Sequence, residues 1–449
     1  MAKAAKRSYQ DEYLQILRDL DGDAAGRAAG EAYLASSLAR GEERCAWASN
    51  PMILDAAQYD VLNGAAVTMG SIMEKVMAKY HRDRSFRKLL GLSPEVEDLT
   101  MVPSGCHAAV PLSRIDLLFD PATHDFTICG ITTGGIDGMA MSAEVNRAVR
   151  STNAFASFAK THKSIETFDA MEAAVLSVLH TYGKWANAEE GRNHPTHPSL
   201  AVLDVKDSPR ASENATVVEV MQGKGIYART TTFETLRIAE VGGIRQLVDD
   251  RGPVTCVWLR ATADEAVAVG GAGLGALREA TRRGLVCTVG GYRSWPCCTR
   301  SFLQLLGSKE CQQLLSRDER SFLAAHAPDV RVVVPSIDLS EFYDQQQDWL
   351  LKTADGHWAS DIVYGGDLSK AEWRKRLVKS IKRRDAIQRY LPHDTTPVVT
   401  PDGERDMIVM LGLYVFESKL CGIRAVAGEG ATIAEWDPCY NLALMVVRD

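Results

Sequence analysis

The sequence predicts a mixed fold, part α/β and part α+β, behind a helical N-terminal region. Three observations lead there. Residues 200–289 alternate short apolar runs with helical stretches, the pattern of βα units with a parallel component. The last hundred residues carry several short strand-like runs with one clear helix among them. The first hundred keep apolar side chains at helical spacing until Pro94 and Pro103 interrupt them.

In order, Tyr9 to Leu20 places Tyr13, Leu14, Ile16, Leu17 and Leu20 on one helical face. Further helices are expected over 24–38 and 53–77. Arg114–Asp120 and Phe126–Ile131 read as strands joined by the turn-forming Pro121–Asp125, hence a hairpin. Helix returns over 142–180, and the polar stretch 185–198 reads as a linker. Leu200–Asp204, Pro253–Leu259 and Gly284–Val289 are expected strands, and 216–223, 263–283 and 301–315 expected helices. Near the end, Trp349–Lys352, Ile362–Gly366, Ala386–Tyr390, Met407–Phe416 and Leu442–Val447 read as strands, with a helix over 369–381. No internal repeat or low-complexity tract appears.

Composition narrows the function classes. The 449 residues suffice for two or three domains or one large composite fold. A net charge of −7 gives no general reason to bind nucleic acid or anionic membrane. No run of eighteen apolar residues is present, and the polar N-terminus lacks a signal-peptide core. Ten dispersed cysteines without a CxxC fit a reduced, cytoplasmic setting better than a disulfide scaffold.

Several motifs invite chemistry and are better read as structure. Gly271-Ala-Gly273-Leu-Gly275-Ala276 approaches a dinucleotide fingerprint, but the region about twenty residues later has no acid for a ribose, so small residues in a packed helix are the better reading. Cys297-Cys298 makes no metal site by itself. Cys106 and His107 point to opposite faces of an extended chain, and prolines separate the presentation of His194 and His197. The basic run Lys379–Arg384 suits a helix end. A stronger constellation is Trp349-Leu-Leu-Lys352, a small polar loop through Asp361, and a returning strand. Its lysine could neutralise phosphate oxygens while loop amides donate to them, although spacing alone favours an ordinary surface hairpin.

The order of these pieces resembles the circularly permuted ATP-grasp proteins, the group that includes the synthetase domain of glutathionylspermidine synthase. Arg114-Ile-Asp116 and Phe126–Thr132 resemble that group's "RxD" and "ExN" strands. Leu200–Lys206 with Val257–Arg260 is similar to its nucleotide-fold-like segment, and Arg320–Pro328 to the segment before the grasp module. Trp349–Lys352, Ala371–Trp373, Ile387–Tyr390, Gly412–Val415 and Gly422–Arg424 resemble the module itself. The likeness covers roughly residues 100–449. It implies a helical N-terminal region over 1–100, metal-site strands and helices over 101–198, an α/β segment over 199–300 and the grasp module over 301–449.

The resemblance also implies an ATP-dependent carboxylate–amine ligase that forms an amide through an acyl phosphate. An amino acid or small peptide in specialised metabolism is the expected substrate, with small-molecule carboxylate and amine as partners and neither nucleic acid nor membrane. Lys352 would contact ATP phosphates, and Gln388, Arg389 and Tyr390 would sit at the adenine edge. Arg114 and Arg424 would stabilise the transferring phosphoryl group, and Asp116 would hold Mg²⁺. Gly130 and Thr132 stand where the group carries Glu and Asn, so two metal-binding oxygens are missing. Asp137 or Glu144 is the nearby substitute. The alternative is an ATP-grasp-derived protein that has lost the Mg-ATP site and binds a partner or catalyses an ATP-independent reaction.

Overall fold

The computed structural model describes residues 8–37, 46–104, 108–188, 194–354, 362–433 and 439–449. Cys106-His107 and the centre of the polar loop after Lys352, with His357 and Trp358, lie outside the described residues.

The N-terminal helix Tyr9–Asp19 begins where Ser8 accepts a hydrogen bond from the Asp11 amide, and it buries Tyr13, Leu14 and Leu17. One expectation fails nearby. Met52–Asp55 is a strand, and the helix starts only at Ala56 and runs to Arg82. The strand pairs in parallel with Leu444–Val447, from the other end of the chain. That long-range partner satisfies its backbone groups, and Asp55 with Gln58 forms a capping box that starts the helix.

The helix packs on a six-stranded antiparallel sheet through Met69, Ile72, Met73 and Val76, in a core shared with Ile115, Leu411 and Ile423. This sheet joins early and late chain. The expected hairpin is present as Leu112–Phe119 and Phe126–Thr132, and its first strand pairs with Gly403–Phe416, which pairs in turn with Lys419–Gly428. Along the hairpin, Asp116 faces Gly130 and Leu117 faces Ile128, so Cys129 is the extra residue of a bulge.

A second antiparallel sheet has the order Val330–Val332, Ala386–Arg389, Trp349–Lys352, Ile362–Tyr364. The helix Lys370–Arg383 covers it, burying Trp373 and Leu377 against Leu351 and Ile387. Its start is set by a Ser369–Glu372 capping box.

The α/β part is a four-stranded parallel sheet, in order Cys287–Val289, Cys256–Leu259, Ser199–Asp204, Tyr227–Thr232. Here the sequence reading missed Tyr227–Thr232 and the hairpin Arg237–Val241 with Ile244–Asp249. Tyr-Ala-Arg-Thr-Thr-Thr has no apolar alternation; its β-branched threonines and a buried arginine carry the strand instead. The preceding helix begins at Ala211, a turn and a half before expected.

Other helices expected as single are divided by local backbone signals. The span 263–283 splits into Ala263–Val269 and Gly271–Arg282 at Gly270, which has φ +57°. A Cβ at Gly273 would meet the Phe233 carbonyl oxygen at 1.7 Å, so close packing explains that glycine run. The span 301–315 breaks into Arg300–Leu306 and Lys309–Gln312, the second capped by Ser308. The span 142–180 becomes Met139–Arg150, Asn153–Thr161 and Ala170–Asn187, with Thr152 and Asp169 as caps. The last of these carries helix into the stretch read as a linker. His194 lies against Trp185, the rings tilted by 43° with 4.6 Å between their centres.

Candidate active site

The two antiparallel sheets enclose a cleft of about 200 Å³. Arg114, Asp116, Asp137, Lys352, Gln388, Arg389, Tyr390 and Arg424, the residues singled out from sequence, all line it. They span just over 300 positions of the chain, from Arg114 to Arg424, and sheet pairing brings them together. Arg114 and Asp116 project from one strand at spacing two, hence to one face. Tyr414 and Gly412 pair directly with them on the central strand, and Gly412 in turn pairs with Arg424 on the next.

Gly412 has a physical reason to be glycine. A Cβ there would lie 3.0 Å from both Arg114 Cδ and Asp116 Oδ1. A glycine inside an apolar strand was the available signal that side chains cross it. Gly138, with φ +76°, is a second such place: a Cβ would meet Arg424 Nη1 at 2.6 Å.

Arg114 is the hub of one wall. Its Nε and Nη2 donate to the two carboxylate oxygens of Asp116 at 2.7 and 3.1 Å. Its Nη1 donates to Asp137 Oδ1 at 2.6 Å and to the Asp137 carbonyl at 3.1 Å. Tyr414 donates to that same carbonyl at 2.8 Å. Burial alone would raise the Asp137 carboxyl, but the Arg114, Arg424 and Arg260 guanidiniums outweigh it and hold the group below its ordinary value. Glu213 lies behind Asp137. Its Oε2 accepts from the Gly138 amide at 2.7 Å and its Oε1 pairs with Arg260 at 3.4 Å. Burial raises the Glu213 carboxyl, with Asp137 adding to the effect against Arg260.

The opposite wall supplies an ammonium and an amide. Lys352 is 4% exposed, and its Nζ donates to the Cys129 carbonyl at 2.9 Å. The bulge at Cys129 takes that residue out of register with the neighbouring strand. Burial pushes the Lys352 ammonium down to about 7, and the Arg300 charge adds to the shift. Gln388 is equally buried, yet its Oε1 has no partner among the described residues. A buried acceptor of this kind costs stability unless something donates to it. Arg389 lies at the rim, over the Trp349 ring at 5.8 Å. Tyr390 lies beside Tyr364, with ring centres 4.5 Å apart.

Sequence reading overlooked Arg210 and Arg300, which also line the cleft. Arg300 follows the conspicuous Cys297-Cys298. Arg210 is spent on Asp204 and Glu265 at 2.8 and 2.7 Å. Among the described residues, Arg114, Lys352, Arg300, Arg389 and Arg424 therefore line the cleft against Asp116 and Asp137, in a chain of net charge −7. The local excess favours an anionic ligand.

Magnesium does not fit these residues as they are arranged. Both Asp116 oxygens and Asp137 Oδ1 accept from Arg114, and Gly130 and Thr132 offer no carboxylate on the facing strand. Glu144, the other nearby acid, accepts from Tyr33 at 2.7 Å, pairs with Arg147, and does not line the cleft. Among the described residues no cluster of three or more His, Cys, Asp or Glu side chains has metal-site geometry. ATP fits better. The cationic walls suit phosphates, and the unpartnered Gln388 acceptor suits an amino group of a base.

No protein-family model and no curated protein sequence matches this chain. Among solved structures, the chain is similar to an apo glutathione synthetase-like effector, GSS30, from Globodera pallida. The TM-score is 0.59 at 11% identity, over 98% of each chain. It is also similar to a putative gamma-glutamylcysteine synthetase from Methylobacillus flagellatus KT, at TM-score 0.35 and 10% identity over 84% of this chain and 87% of the other. A RimK domain ATP-grasp protein from Sphaerobacter thermophilus gives 0.24 and 13%, over 50% and 90%. Scores as low as these last two carry no argument; the first establishes likeness of fold. The chain is a mixed α/β and α+β protein whose fold is like that of the glutathione synthetase-like effector. Among the described residues no helix is long and apolar enough to cross a membrane.

Proposed function

We propose that this chain is an ATP-dependent carboxylate–amine ligase with its nucleotide in the cleft between the two antiparallel sheets. One observation carries the reading: Lys352 and Gln388 from one sheet, and Arg114 and Arg424 from the other, line the same buried cleft. Phosphoryl transfer needs positioned phosphates and charge neutralisation more than covalent help from the protein. Arg424 provides positive charge that does not titrate, Lys352 adds its charge while protonated, Gln388 Oε1 awaits a donor, and Arg114 is rigidly held by its two aspartates.

In the proposed reaction a substrate carboxylate oxygen attacks the γ-phosphorus, and ADP leaves. The amine nitrogen then attacks the acyl carbon of the acyl phosphate. Inorganic phosphate leaves, the nitrogen loses a proton, and an amide remains. An amino acid or small peptide is the proposed carboxylate. The test is ADP release coupled to amide formation over a panel of such acids and amines. Both should appear in the wild type and be lost in Lys352→Ala. Absence of both across the panel, in a protein shown to be folded, overturns the proposal.

A second reading, an ATP-grasp-derived binding protein or an ATP-independent catalyst, is favoured by the commitment of Asp116 and Asp137 to Arg114. Anion binding without any ADP release would select it.

A further inference from the structure

The cleft departs from an acidic metal site in a specific way. Asp116 and Asp137 do not face one another directly; the Arg114 guanidinium lies between them. Arg114 makes four hydrogen bonds, of 2.6 to 3.1 Å, to Asp116 and Asp137. A magnesium ion requires oxygen ligands at about 2.0–2.1 Å in near-octahedral array. Those oxygens already contact nitrogen, so an ion between them would have to expel Arg114 from its pairing. The position facing Asp116 is Gly130, and a Cβ there would meet nothing within 4 Å. Position 130 has open space for a side chain and, being glycine, supplies no carboxylate.

We propose that this cleft binds the phosphates of its nucleotide through guanidinium and ammonium groups without a protein-held divalent ion, Arg114 occupying the place between Asp116 and Asp137. The inference rests on the reading of the cleft as a nucleotide site. Four further basic side chains that line the cleft, Lys352, Arg424, Arg300 and Arg389, supply the positive charge. Guanidinium groups pair with phosphate oxygens by bidentate hydrogen bonds and carry a charge that does not titrate away. A metal-free triphosphate is more negative than its magnesium complex, so such a cleft holds it at least as well.

The test is calorimetric titration of the full chain with a nonhydrolysable ATP analogue, once in excess EDTA and once in excess Mg²⁺. The expected result is saturable binding in both, with Kd in EDTA no more than about threefold weaker than with Mg²⁺. Binding with Mg²⁺ that weakens more than about tenfold in EDTA overturns the inference and leaves the nucleotide reading standing. No binding in either buffer, by a folded protein, overturns the nucleotide reading and this inference with it. A second variant works in the opposite direction. Gly130→Glu with Thr132→Asn returns oxygen ligands to the open position, and it should acquire a preference for Mg²⁺ of about tenfold that the wild type lacks. An equal magnesium preference in variant and wild type counts against the inference.

Discussion

Two arginine–aspartate clusters in this molecule use the same chemistry to different ends. In the parallel-sheet region Arg229 donates to both Asp249 oxygens at 2.6 and 2.9 Å, to Ser199 Oγ and to the carbonyls of Gly252 and Pro253. Both partners are 2% exposed. In the cleft, Arg114 bridges Asp116 and Asp137, but these side chains keep 13%, 15% and 18% exposure. The first pair fastens a strand to the hairpin beside it and is almost closed to solvent, although Asp249 lies at the edge of a second pocket. The second is held as firmly and still borders open space. The two clusters thus differ in exposure, not in the completeness of their pairing.

The comparison can be broken most directly by removing one partner from each cluster. Asp249→Ala leaves a buried guanidinium without its carboxylate and should cost about 3–5 kcal/mol of stability, measured by urea unfolding. Asp116→Ala leaves Arg114 one aspartate and access to water, so a loss of about 1–2 kcal/mol is expected in the same assay. Equal losses would mean that the cleft cluster is a fastener as well.

Lys352→Met should weaken analogue binding by at least about tenfold, close to 1.4 kcal/mol, while shifting the urea midpoint little, since the variant also relieves a buried charge. Titration by pH separates the clusters at smaller effect. The Lys352 ammonium, pushed down to about 7, loses its proton as pH rises through neutrality. Analogue affinity should therefore fall by about threefold from pH 6 to 8 beyond the fall seen in Lys352→Met. At Asp249 burial raises the carboxyl, but hydrogen bonds from Arg229 outweigh it and leave the value depressed. A depressed carboxyl stabilises the fold above its unfolded value near 3.9, and that contribution is lost as pH falls through the lower folded value. Urea midpoints at about pH 6 and about pH 3 should thus converge more in Asp249→Asn than in wild type.

Elements with a local signal were legible in the sequence. Leu112–Phe119 and Phe126–Thr132 alternate around a turn, and Lys370–Arg383 carries its capping box in Ser369 and Glu372. Elements held by distant partners were not. Met52–Asp55 looks like the start of a helix until Leu444–Val447 pairs with it. Tyr227–Thr232 shows no period because Arg229 faces inward, and its burial is tolerable only once Asp249 arrives from twenty residues on. The same division holds for the site. Lys352 stood out as a lone charge ending an apolar run, whereas Arg300 and Arg210 carry no local mark of facing a cleft.

The sequence by itself determined which side chains exist to do chemistry: an Arg-x-Asp on one strand, a lysine at the end of another, and glycine and threonine in place of two acids. Alternation set the face each occupies, because a strand has period two. Only the tertiary structure decided that Asp116 and Asp137 meet the same guanidinium, that a bulge directs the Cys129 carbonyl to Lys352, and that Gln388 is buried with an acceptor to spare. The physical reason is range. Propensity, period and capping act over a few residues, whereas the Arg229–Asp249 ion pair, twenty positions apart, and the Arg114–Tyr414 strand pairing, three hundred apart, exist only once the sheets have formed.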